Sequence, residues 1–157
     1  MSATTAHDQT AWAQVLEVAE EMAGELREDG WDVCLVRAGH VSAVPSGESP
    51  AQHGLVYVAP DSVEAELPGL VAGTTFDRYV VFREAVARDL FVVTQMMALE
   101  AKRAVVLVGA IDRQQASDLA VDAREREELY SHVRLLDGTH LATFHHEDPA
   151  HVFPEER

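Results

Sequence analysis

The sequence predicts an α+β fold in which an antiparallel sheet packs against two main helices, in a single domain over residues 1–157. Three apolar segments, Phe76 to Ala85, Leu90 to Leu99 and Ala104 to Ile111, follow one another with connections too short for a parallel crossover, so they read as an antiparallel meander. Amphipathic helical patterns stand before and after this group, and their apolar stripes need a sheet face to cover. With 157 residues and 47% hydrophobic content, the chain can close a core without disulfides, and its single cysteine, Cys34, excludes any within one chain.

From Ala11 onward, Trp12, Val15, Leu16, Ala19, Met22, Ala23 and Leu26 recur at helical spacing, with Glu17, Glu20, Glu21, Glu25 and Glu28 on the other sides. Asp8 or Thr10 can cap the start, Gly30 supplies the left-handed stop, and residues 1–8 are expected to fray. Trp31 to Arg37 alternates as a strand with Cys34 as a small core hydrophobe, and Gly39 precedes a shorter apolar piece, Val41 to Val44. Pro45 to Pro50 is a loop by composition, and residues 45–53 are expected to be flexible. Leu55 to Val58 gives a further strand. Asp61 and Glu64 have the spacing of a capping box, opening a short helix that Pro68-Gly69 should end. Within the meander, Leu90 to Met97 is apolar on both alternating faces, which predicts a central strand buried on two sides. Two helices can cover one of those faces, so the other is expected to meet a partner. Asp112, with Gln115 at the reciprocal position, caps a third helix whose stripe is Ala116, Leu119, Ala120 and Ala123. Tyr130 to Leu136, the turn dipeptide Asp137-Gly138 and Thr139 to His145 form a closing hairpin, and residues 152–157 are expected to fray.

The charge limits the partners. Asp and Glu number 27 against 12 Lys and Arg, a formal −15, and Lys102 is the sole lysine. Such a surface repels phosphate backbones and anionic headgroups, which predicts no nucleic-acid and no membrane partner. At about 1 M salt the Debye length shrinks to roughly 3 Å and the self-repulsion is screened, so a salty cytoplasm suits it. The N-terminus lacks the basic and apolar regions of an export signal, and no stretch reaches the roughly 18 apolar residues of a membrane span, in keeping with a cytoplasmic location. One stretch departs from the average. Arg78, Arg83, Arg88, Lys102, Arg103 and Arg113 stand against Glu84, Asp89, Glu100 and Asp112, and these cations are expected to pair with acidic helices of the same molecule or of a second subunit, the alternative being that they bind an anion or an acidic partner.

His132, His140, His145, His146 and His151 crowd the last quarter of the chain. A two-residue turn at Asp137-Gly138 pairs His132 with Thr143 and Tyr130 with His145. Tyr130, His132, Arg134, Thr143 and His145 then share one face, opposite Val133, Leu135, Ala142 and Phe144. His132, His145 and His146 are the candidate metal ligands, with Glu147 and Asp148 as neighbouring carboxylates. His146 and His151 flank Glu147 but stand five apart across Pro149, which breaks the helix a zinc-protease pair requires. The chain has no phosphate-binding glycine loop, dinucleotide fingerprint, Cys-x-x-Cys pair or nucleophile elbow, so no catalytic residue is assigned and no cofactor is expected.

The opening Trp12-x-x-Val15-Leu16 through Glu28-Asp29-Gly30-Trp31-Asp32-Val33, with the closing His132-Val133-Arg134-x-Leu136 and Thr143-Phe144-His145-His146-Glu147-Asp148-Pro149, resembles a family of small acidic haloarchaeal proteins of unknown function. The resemblance implies an archaeal, high-salt setting and brings no activity or site residues. The function expected from the sequence is a non-enzymatic protein-interaction or regulatory domain, self-associating or binding a protein partner. The alternative is a metal-binding protein or metal-assisted enzyme built on the C-terminal histidines.

Overall fold

The computed structural model describes residues 3–44 and 53–146, with side chains from Thr10 onward. The expected flexible loop lies outside the described residues except for His53, as do the C-terminal end, Glu147, Asp148 and His151. Helix α1 (Ala3–Glu28) begins earlier than the expected caps. It ends as its glycine dictates: Gly30 has φ +86°, its N–H donates to the Arg27 carbonyl, and Trp31 N–H reaches back to Leu26.

The two apolar pieces after α1 form one strand, β1 (Asp32–Val44), with a bulge between Arg37 and Gly39. The bulge switches which residues face inward, from Cys34 and Val36 before it to Val41 and Ala43 after it. Strand β2 (Gly54–Ala59) returns antiparallel to β1. A 3-10 turn (Asp61–Ala65) leads into the short α2 (Leu67–Val71). Here Pro68 opens a helix instead of ending one, because a first-turn residue needs no N–H partner. The meander β3 (Arg78–Val86), β4 (Asp89–Ala98) and β5 (Arg103–Asp112) is antiparallel throughout. Helix α3 (Arg113–Arg126) starts at Asp112, whose carboxylate accepts the N–H groups of Gln114 and Gln115 at 2.9 and 3.1 Å. Strands β6 (Leu129–Leu135) and β7 (His140–His146) close the described chain.

The expected antiparallel sheet is corrected at two seams. All seven strands share one mixed sheet in the order β3-β4-β5-β1-β2-β6-β7, with β1 parallel to β5 and β2 parallel to β6. Short connections fix the sense of neighbours in sequence, as they do in each hairpin here. They do not determine how one hairpin docks on another, and both parallel seams join strands distant in sequence.

The placement of the helices is corrected as well. Helix α1 lays Ala11, Val15, Ala19 and Ala23 on one sheet face, against Phe91, Val93, Val106 and Val108. Helices α2 and α3 cover the other, where Leu67, Ala116, Leu119 and Ala123 join Val36, Tyr57, Val92, Met96 and Leu107. Strand β4 is buried on both sides as expected, with its second face filled by this chain, but it lies beside the edge strand β3 and not at the centre of the sheet. The sheet curls around the inner core into a half-barrel. Its two edge strands therefore approach: Phe76, just before β3, packs edge-on to Phe144 at 5.6 Å, and Tyr79 of β3 packs on His146 of β7 at 5.2 Å.

Candidate functional site

On the outer surface, α1 packs against β1, β3, β4 and β5. On β6 and β7, Tyr130, His132 and Arg134 are half-buried and Thr143 and His145 exposed, while Val133, Leu135, Ala142 and Phe144 are buried. That division, and the pairings His132 with Thr143 and Tyr130 with His145, agree with the sequence reading. The turn itself differs. Leu135 N–H donates to the Thr139 carbonyl across a three-residue loop, with Gly138 at φ +95°, and a register shift between Val133 and Arg134 restores the expected pairing. Asp137 accepts the Thr139 N–H at 2.9 Å, a bond that holds its carboxyl below the usual range.

His132 and His140 of this face are linked through Thr143. His132 Nε2 lies 2.9 Å from the His53 carbonyl, which can only accept, so Nε2 carries the proton and Nδ1 of the neutral ring is an acceptor. Thr143 Oγ1, 2.9 Å away, donates to that Nδ1 and itself accepts from His140 Nε2 at 2.6 Å. Burial lowers the His132 pKa; the bond to the His53 carbonyl works the other way, and the nearby rings of His140 and His53 lower it further. Tyr130 sits among the rings of His53, His132 and His145, at 5.0, 6.0 and 4.9 Å. His145 donates from Nε2 to Glu128 at 3.0 Å.

The three candidate ligands are thus not one set. His132 and His145 share the outer face, on either side of Tyr130. His146 points inward, fully buried, with Nε2 2.8 Å from the hydroxyl of buried Ser131 and the Tyr79 ring against it. Among the described residues, no three His, Cys, Asp or Glu side chains converge to hold a metal ion. The sequence reading missed His53 and His140 as members of the outer cluster. His140 is separated from Thr143 by three positions and meets it only because of the turn bulge. His53 is brought in by the parallel β2–β6 seam, where Gly54 lies so close to the Tyr130 carbonyl that a Cβ would collide with it.

Ser131 and His146 resemble a nucleophile and base in distance alone. Both are buried against the core, so the hydroxyl does not face solvent, and the contact pairs the Ser131 hydroxyl with His146 Nε2 inside the half-barrel. A cavity of about 430 Å³ at the nearby seam is lined by Thr74, Phe76, Asp77, Tyr79, Phe144 and His145. Cys34 is buried too, and burial foremost pushes its thiol up to about 11, which keeps it protonated and unreactive.

Three cations of the locally basic stretch donate to carbonyl or hydroxyl oxygens. Arg103 donates to the Leu70 carbonyl and to Thr74 Oγ1, Arg113 to the Ala87 carbonyl, and Lys102 to the Asp29 carbonyl. These cations tie down loops. An ion pair to α1 is made by Arg37, whose guanidinium meets Glu20 at 2.8 Å.

The fold is a small α+β half-barrel whose inner face is covered by α2 and α3 and whose outer face is covered by α1 over β1, β3, β4 and β5 but open over β6 and β7. The chain belongs to a family of unknown function (DUF7529), which matches residues 1–154. No curated protein and no solved structure matches it. No helix among the described residues is long and apolar enough to cross a membrane.

Proposed function

We propose that this protein is a non-enzymatic, self-associating interaction domain adapted to a salty cytoplasm, acting through an open edge of its sheet. The observation that supports this most directly is β3. Among the described residues it has a neighbour strand on one side only, yet it runs for nine residues, with Val80 45% exposed and Tyr79, Val81 and Phe82 half-buried. A long apolar edge of this kind is a template for another strand, and proteins that stay monomeric usually cover or interrupt it. The high-salt setting is supported by the −15 charge and the single lysine.

Light scattering in about 1 M KCl, where the Debye length is roughly 3 Å, tests the reading. A species of at least twice 17.2 kDa is expected, and a monomer at every accessible concentration would overturn it. The metal-binding alternative has two outer-face histidines in its favour, with no third ligand converging on them among the described residues. Elemental analysis of untagged protein, with thermal shifts on adding Zn²⁺, would revive it if metal were bound stoichiometrically.

A further inference from the structure

The geometry points to a second copy of this chain as the occupant of the β3 edge, paired antiparallel about a two-fold axis at Val81; this rests on the self-association reading above. Alternation along β3 places Arg78, Val80, Phe82 and Glu84 on the α1 side, where Phe82 joins that core, while Tyr79 and Val81 pack with the inner core. When two such strands pair about Val81, Arg78 stands opposite Glu84 of the partner subunit and Val80 opposite Phe82 of the partner subunit. The same contacts recur on the other side of the axis. Each outer-face row then reads charge, apolar, apolar, charge, with opposite signs meeting at both ends. Shifting the axis by one residue, to Phe82 or Val80, loses the Arg78–Glu84 match.

Charge also favours this edge over the rest of the surface. The molecule carries −15, but β3 and its flanks balance, with Arg78, Arg83 and Arg88 against Asp77, Glu84 and Asp89, so two copies approach here against less repulsion than the average surface would give. The other edge, β7, holds three histidines and no carboxylate, and offers no opposite-charge register to a copy of itself. Salt acts on two terms of opposite sign. It weakens the exposed Arg–Glu contacts, and it removes the long-range repulsion between two anionic bodies. The second term involves far more charge, so association strengthens as KCl rises.

The test uses the full chain. Val81→Cys should form a disulfide-linked dimer under mild oxidation, because residues facing each other across the axis have Cα atoms about 4.5–5.5 Å apart. Val80→Cys should not, since its copies lie on a diagonal about 7–8 Å apart. Arg78→Glu should raise the dimer Kd about tenfold by placing like charges opposite each other twice, and Arg78→Glu combined with Glu84→Arg should restore it. A dimer that persists without cross-linking at Val81 and ignores these substitutions would overturn the pairing while leaving self-association intact. A wild-type monomer would overturn both. Slow amide exchange at β3 in dilute, monomeric protein would show that the chain covers its own edge, and would also overturn the pairing.

Discussion

His132 shows how one side chain carries several constraints of the outer face. Its Nε2–H is committed to the His53 carbonyl and its Nδ1 to Thr143, so a second proton must enter a partly buried ring beside His140 and His53. The folded pKa lies below the unfolded value, and below that unfolded value the unfolded chain therefore binds more protons than the native one. Stability from this group is complete above pH about 6.5 and declines as the pH falls below it. His132→Gln should flatten that part of the stability profile, measured by urea unfolding between about pH 7.5 and 5.5; an unchanged slope would assign the acid loss to other groups. Gly54 imposes a stricter limit. At φ +113°, with the Tyr130 carbonyl inside contact distance of any Cβ, Gly54→Ala combines backbone strain with a clash on β6 and should cost about 3 kcal/mol in the same assay.

Elements differ in how plainly their residues announce them. Asp112 is legible because an N-cap is local: its carboxylate meets the N–H groups two and three residues on, and Asp112→Ala should cost about 1 kcal/mol in thermal or urea melts. The Gly30 stop, the meander and the two faces of the last hairpin were readable for the same reason, since each depends on spacing within one or two adjacent elements. Pro68 was misread because a proline marks a boundary without saying which side of it the helix occupies. The parallel seams were not legible. Nothing in Cys34 or Val105 states that they will lie side by side, because that choice is made by packing whole hairpins around a shared interior. The composition of the outer cluster followed those seams, and so His53 was invisible from sequence. His146 turns away from His145 for a simpler reason: adjacent residues on a strand point to opposite faces.

At the scale of the whole molecule, charge and compactness oppose each other. A native chain of this length has a radius of gyration of about 15 Å and its unfolded form about 42 Å, so folding concentrates the −15. In about 0.01 M salt the Debye length is near 30 Å, and carboxylates on opposite sides of the native fold repel one another; at about 1 M it is near 3 Å, and only touching charges interact. Salt also weakens ion pairs such as Arg37–Glu20 and Arg126–Asp122. Those pairs are largely exposed, and each contributes at most about 1 kcal/mol. The diffuse repulsion of 27 acids outweighs such pairs, so the melting midpoint should rise steadily from low salt to molar KCl, and further in strongly excluded salts such as sulfate. Because dimerisation raises the midpoint with protein concentration, the melts belong at two concentrations and fixed pH, and should be repeated on Arg78→Glu. A rise that survives in this variant belongs to the fold, whereas one that vanishes with the dimer belongs to the interface. A midpoint that stays flat or falls with KCl would mean that the acidic surface is already neutralised within the native structure, and the high-salt assignment would lose its physical basis.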